Sequence, residues 1–132
     1  MVRIRRKGVA IVESSKGILV VAGRRKIFAL PGGGTNRGES RRSAAMRELR
    51  EETGLKTNSV EYLFGYKGKV WTDHKKRKVR NHAKVFLLKA YGRLRSRKEV
   101  KHVAWYKQGS KLRVSRNTKK LIEKYLEMKG KI

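Results

Sequence analysis

Apolar positions follow two periods along the chain. Gly8 to Glu13 and Ile18 to Ala22 are runs rich in β-branched residues, and Ser14, Ser15, Lys16 and Gly17 separate them. This spacing predicts a β-hairpin with a glycine-containing loop. Ile27 to Leu30 is a third short apolar run, stopped where the chain's single proline meets three glycines, Pro31-Gly32-Gly33-Gly34. From Ser40 to Thr53 the period becomes helical: Ala45, Met46, Leu49 and Thr53 fall on one side, and Gly54 follows as a C-cap. Val60 to Tyr66, Ala83 to Tyr91 and Val100 to Tyr106 read as further strands. Ser115 is placed to cap a last helix in which Leu121, Ile122, Tyr125 and Met128 recur at helical spacing. Strands outnumber helices, with no internal repeat and no linker. The expected class is therefore α/β in the broad sense (α+β), with residues 1–132 forming one domain.

Charge changes the picture more than hydropathy does. There are 37 Lys and Arg against 10 Asp and Glu in 132 residues, a formal charge of +27. Apolar blocks recur throughout, so this is a folded protein with a basic surface rather than a disordered basic tail. Such a surface favours polyanions: nucleic acid, nucleotides, polyphosphates or an anionic membrane surface. The chain has no cysteine, which removes disulfides, thiolate metal sites and thiol nucleophiles and fits a cytoplasmic location. No run of about 18 apolar residues is present, so no membrane-spanning helix is expected. Met1 to Lys7 is charged and lacks the apolar core of a secretory signal.

The scarce acids collect in one segment. On the predicted helix Glu48, Glu51 and Glu52 are related by i, i+3 and i, i+4 steps and share a face with Ala44, opposite Ala45, Met46 and Leu49. Crowded like charges destabilise a bare helix by a few tenths of a kcal/mol per pair. Two readings account for them: a solvated acidic face paired with Arg47 and Arg50, or carboxylates gathered for a hard divalent cation that shares its shell with substrate phosphates.

The residues flanking these glutamates carry a resemblance. Gly33, Glu39, Arg47-Glu48-Leu49, Glu51-Glu52 and Gly54-Leu55 stand at the spacing of the complete signature of the Nudix hydrolases, and the chain resembles that family. The strands before this box, the Phe28 to Gly33 approach to it and the terminal helix fall in the family's order. The resemblance implies an α/β/α sandwich around a central mixed sheet. It also implies water attack on a diphosphate linkage, with one to three Mg²⁺ or Mn²⁺ ions held by Glu48, Glu51 and Glu52 and by the Gly32 carbonyl. Arg47 would orient a glutamate through a forked ion pair, Glu39 would fix the loop to the helix, and Gly33 and Gly54 would be structural. The general base varies among relatives, lying in the box or in a later loop. Glu99, just before the Val103 to Tyr106 strand, is the expected further metal ligand or base. Its competing reading is a surface acid paired with Lys98 or Lys101.

Basic residues outside the box are the candidates for substrate binding. Lys75, Lys76, Arg77, Lys78 and Arg80 form a dense run between two strands, either a solvated hairpin tip or a clamp over phosphates. Trp71 is placed to stack a base. Phe64 and Tyr66 share a strand face and are candidates for stacking or for the core. Arg24 and Arg25, with Lys26, precede the Pro-Gly segment and are expected to reach the same cleft. Asp73, amid so many cations, is expected to form a local ion pair. His74, His82 and His102 lack metal-ligand spacing.

Markers that distinguish substrates in relatives are missing: no proline follows the box, and Val70-Trp71-Thr72 stands where some relatives carry a tyrosine. The Pro-Gly-Gly-Gly segment is similar to that of enzymes acting on oxidised nucleoside triphosphates and on diphosphoinositol polyphosphates. The resemblance thus implies an anionic small-molecule substrate, foremost a nucleoside diphosphate or triphosphate derivative. RNA 5′ ends, inositol pyrophosphates and a non-catalytic RNA-binding module are the alternatives.

Overall fold

In the computed structural model, which describes residues 1–97 and 99–130, two sheets share one interior. The first strand, β1 (Val2–Ile11), lies inside a mixed five-stranded sheet. It pairs antiparallel with β4 (Gly32–Gly34) and parallel with β7 (Lys78–Tyr91), which in turn pairs antiparallel with β5 (Lys56–Lys67) and β6 (Trp71–Thr72). The second sheet has the order β2 (Glu13–Ser14), β3 (Gly17–Ala22), β8 (His102–Tyr106).

Helix α1 (Arg41–Thr53) covers one side and α2 (Arg116–Gly130) the other. Strand alternation divides the core between them. Ala10, Val12, Leu19, Phe86 and Leu88 face Ala45 and Leu49 of α1, whereas Val9, Ile11, Val20 and Val85 face Leu121, Ile122 and Tyr125 of α2.

Four expectations need correction. The hairpin is short, joining only Glu13-Ser14 to Gly17-Ile18. The run before it belongs to the other sheet and begins at Val2 rather than Gly8, because Val2 to Lys7 is hydrogen-bonded in register with Lys78 to Ala83. The three glycines form a strand, β4, since without side chains they can lie flat against β1: a Cβ on Gly32 would stand 2.5 Å from the Gly8 oxygen. In α2, Met128 is exposed and Leu126 packs towards the core, so the apolar stripe ends a turn earlier than its spacing suggests.

Helix α1 has the expected caps. Ser40 Oγ accepts the Ser43 N–H at 3.0 Å, and Gly54, at φ +78°, closes the end by donating its N–H to the Arg50 oxygen at 2.8 Å. Its glutamate side is not a solvent face, because Ala44 is fully buried beside Ala45 and Leu49. The approach that buries it is tight. A Cβ on Gly8 would lie 2.0 Å from the Arg41 carbonyl oxygen. No helix among the described residues is long and apolar enough to cross a membrane.

Candidate active site

Where α1 passes β4, one arginine organises the acids. Arg47 Nε donates to Glu39 Oε2 at 2.8 Å and Nη2 to Glu39 Oε1 at 3.0 Å. Its Nη1 donates to Glu48 Oε1 at 2.6 Å and Glu51 Oε1 at 2.9 Å, and Nη2 also reaches the Gly34 oxygen at 3.0 Å. The hydrogen bonds to Glu39 and Glu51 bind the Arg47 proton more firmly than usual. Glu39, held below the usual carboxylate range first by Arg47 and then by the Asn36 N–H, ties the loop to the helix.

Glu52 sits deeper. Its Oε1 accepts the Gly32 N–H at 3.0 Å. Burial, followed by the neighbouring charges of Glu48 and Glu51, pushes its carboxyl up to about 7, with the Gly32 N–H and the Lys7 ammonium opposing the rise. Gly33 gives Glu48 its place: a Cβ there would stand 2.6 Å from Glu48 Oε2.

Lys7 is the cation facing this centre, and the sequence reading missed it. Burial, then Arg5, lowers its pKa, while Glu52 and Glu48 raise it. Once β1 is known to begin at Val2, the signal is plain, since Arg3, Arg5 and Lys7 alternate on one face and Lys7 lies opposite Gly34.

Two concavities flank the acids on this face. One, of about 490 Å³, is lined by Arg3, Arg5, Gly34, Thr35, Trp71 and Arg77. The other, of about 170 Å³, lies between the sheet and the start of α2, with Lys7, Tyr66, Asn81 and Asn117 on its walls. The Tyr66 hydroxyl donates to Asn117 Oδ1, and Asn81 Oδ1 is buried without a hydrogen-bond partner.

The other sequence candidates fall in several places. Trp71 and Arg77 line the larger cleft. Lys75 and Lys76 occupy the hairpin tip, which Asp73 closes by accepting the Lys75 and Arg77 N–H groups and pairing with Arg77 Nε at 2.9 Å. Lys78 and Arg80 stand at alternate positions to Val79 and Asn81 and so occupy the opposite sheet face. Phe64 is buried in the core, and Tyr66 is engaged by Asn117 rather than presented as an open stacking surface.

Arg24 and Arg25 form an exposed turn at the end of β3, where Gly23 approaches the backbone oxygen of Glu99. Glu99 is exposed, and the acids and cation acting on Glu52 are Glu48, Glu51 and Lys7. Lys98, its suggested partner, lies outside the described residues.

Among the described residues no three Asp, Glu or His side chains form a closed metal-ligand cluster. Arg47 engages oxygens of Glu48 and Glu51, and the Gly32 N–H engages one of Glu52. The donor set itself fits a hard divalent cation. Three carboxylates lie on neighbouring turns of α1 beside β4, and burial with the charge of the other two raises the pKa of Glu52 against the Gly32 N–H and Lys7.

A mixed sheet whose glycine edge strand packs on a helix of three glutamates, two of them gripped by one arginine and the third by a backbone N–H of that strand, is the arrangement of a hydrolase of phosphate anhydrides. The chain belongs to the Nudix family: the model of the NUDIX domain matches residues 3–121. A nudix hydrolase family member from Chromobacterium violaceum is 34% identical, with 94% of this chain and 77% of that one covered at a TM-score of 0.77. The fold also recurs in the ORF135 protein of E. coli, at 22% identity, 97% and 92% coverage and a TM-score of 0.75. It recurs again in a bifunctional NMN adenylyltransferase/ADP ribose pyrophosphatase of Francisella tularensis complexed with AMP and a Mn ion, at 20% identity, 97% and 42% coverage and a TM-score of 0.67. No curated protein matches the chain.

Proposed function

We propose that this chain is a Mg²⁺- or Mn²⁺-dependent pyrophosphohydrolase that opens the diphosphate linkage of a nucleoside diphosphate or triphosphate derivative by water attack at phosphorus. The observation that carries the reading is the gathering of Glu48, Glu51 and Glu52 at the β4 edge beside Lys7. Glu48, Glu51 and Glu52 would hold the cation, with the Gly32 carbonyl as the further expected ligand. When bound, the cation would neutralise phosphate oxygens and lower the pKa of a water.

The chain's own residues supply the rest. Arg47 orients Glu48 and Glu51 through one nitrogen and fixes their distance to the Gly34 backbone. The Gly32 N–H sets the orientation of Glu52. Lys7, Arg5 and Arg77 offer positive charge to the phosphates, and Trp71 offers a ring to the organic part of the substrate. Asn81, with an unpartnered buried oxygen, and Asn117 offer polar groups for a nucleoside in the smaller pocket. A box glutamate is favoured over Glu99 for accepting the proton of the attacking water, because the box glutamates stand at the β4 edge and Glu99 is exposed in a turn. The AMP and Mn ion of the Francisella structure agree with this substrate class.

The test is release of nucleoside monophosphate, followed by chromatography, from a panel of nucleoside triphosphates and dinucleoside diphosphates with Mg²⁺ or Mn²⁺. Metal-dependent release that disappears in Glu52→Gln, with the circular dichroism of the folded chain retained, supports the reading. An unchanged rate in that variant removes it.

A further inference from the structure

The opposite face of the five-stranded sheet carries a second assembly of cations. On β7, Lys78, Arg80, His82 and Lys84 occupy alternate positions and so project to one side, in a row about 20 Å long. Further along the same face Phe86 and Leu88 lie under α1. That helix starts over Gly8, so the strands before this crossing are left uncovered.

Neighbouring strands thicken the row. His82 lies directly between Arg6 of β1 and Lys67 of β5. Lys84 lies between Gly8, where α1 begins, and Gly65, and so stands at the edge of the uncovered area. Burial, then Lys67, Arg80, Arg41 and Arg6, hold His82 below its ordinary pKa, and every charge acting on it is positive. Like charges directly across a ladder destabilise a sheet. Here Arg6 and Lys67 stand on either side of a ring that burial and their charge keep unprotonated near neutrality, with no carboxylate among the groups acting on it.

An aromatic ring completes the face. Tyr62 is 52% exposed, packs edge-on against Phe86 with ring centroids 5.7 Å apart, and has Lys84 Nζ 5.7 Å from its own centroid. A shallow pocket of about 380 Å³ runs between Arg41, Lys67, His82 and Lys84.

We propose that this uncovered face binds single-stranded nucleic acid, with the β7 row following the phosphate backbone and Tyr62 stacking a base. A linear row suits a polymer better than an isolated phosphate. A stacking ring beside cations is the combination that sequence-tolerant single-strand binding requires. Arg5 and Lys7 lie on the other side of the sheet, and the glutamates gather at the β4 edge rather than over the β7 row, so the proposal does not depend on the hydrolytic reading.

Fluorescence anisotropy with labelled oligouridylate and oligothymidylate of equal length tests it. Log affinity should fall linearly with log salt, by roughly 0.7 per phosphate neutralised. Lys67→Gln with Lys84→Gln should weaken binding and reduce that slope by about 1.4, and Tyr62→Leu should weaken it about tenfold. Lys119→Gln with Lys120→Gln removes the same charge from the exposed side of α2 and should leave affinity within about twofold. Metal-dependent hydrolysis of a small nucleotide should be unchanged in all three variants. Oligouridylate and oligothymidylate binding alike places recognition on phosphate and base; preference for the former adds a contact to the 2′-hydroxyl. The proposal is overturned if the α2 pair weakens binding as much as the β7-face pair, if Tyr62→Leu and the β7-face pair both leave affinity unchanged, or if phosphatidylserine vesicles bind as tightly as the oligonucleotides.

Discussion

Arg47 and Glu39 form a two-point fork, Nε to Oε2 at 2.8 Å and Nη2 to Oε1 at 3.0 Å, and the same guanidinium spends its third nitrogen on Glu48 and Glu51. One planar group therefore sets the position of three carboxylates. Lysine offers a single point charge on a flexible stem and cannot reproduce that pattern. Arg47→Lys should lower kcat roughly 10- to 100-fold, the usual cost of losing a supporting contact to metal-holding groups. KM should change less than kcat. Steady-state kinetics alongside a thermal melt separates this outcome from simple unfolding.

Two glycines on either side of the box separate fold from chemistry. A Cβ at Gly8 would lie 2.0 Å from the Arg41 carbonyl oxygen and 2.6 Å from the Ala45 nitrogen, both backbone atoms of α1. Relief would require the helix to move off the sheet. Gly8→Ala should cost more than about 3 kcal/mol or prevent folding. At Gly33 the added Cβ would instead meet the Glu48 carboxylate, a side chain that can turn away. Gly33→Ala should keep its melting temperature within a few degrees and lose most of its activity. Urea unfolding and a nucleoside monophosphate release assay on both variants give the two outcomes.

Much of the site was legible because it is local. The Glu39 to Leu55 spacing lies on one helix and its approach, where sequence distance converts directly into geometry, and the structure brings Arg47, Glu48, Glu51 and Glu52 together at β4. Residues contributed by strand pairing were not legible. Arg3, Arg5 and Lys7 read only as part of a charged stretch because a strand with cations on one face has no apolar alternation to announce it, and only register with β7 turns them into walls of the two clefts. The run Lys75 to Arg80 looked like one patch. Strand alternation sends Lys78 and Arg80 to the other face, leaving Arg77 beside Trp71. Phe64 and Tyr62 are parted by a bulge in β5 between Tyr62 and Phe64, which no periodicity reveals.

Glu13 clasps the end of α2 to the second sheet. Its Oε1 accepts from the Tyr125 hydroxyl at 2.6 Å and the Lys129 ammonium at 2.8 Å. Burial works to raise the Glu13 pKa, and the Lys129 and Tyr125 hydrogen bonds outweigh it and hold the carboxyl below its usual range. A depressed folded pKa contributes stability above the unfolded value and loses it as pH falls through the folded one. Glu13→Gln should therefore destabilise the chain by about 1 kcal/mol near neutrality and by almost nothing near pH 3, where the native carboxyl is itself protonated. Urea titrations at the two pH values measure the difference.

Glu52 carries the opposite sign. In the metal-free chain its carboxyl is pushed up to about 7, first by burial and then by Glu48 and Glu51, well above an unfolded value near 4.3. The folded state then binds the Glu52 proton more tightly than the unfolded state does. Its contribution to stability is complete below about pH 4.3 and is lost as pH rises through about 7. Glutamine keeps the shape and the acceptor for the Gly32 N–H but cannot ionise. In a chelator, Glu52→Gln should melt with the native chain near pH 4 and several degrees above it near pH 8.5. Saturating Mg²⁺ should reverse the order at the higher pH, because a cation that binds the native acids stabilises only the chain that still has them all. Equal melting temperatures in the chelator at both pH values would mean that Glu52 is not buried against its neighbours' charge. A Mg²⁺-independent difference would mean that the three glutamates do not share a cation.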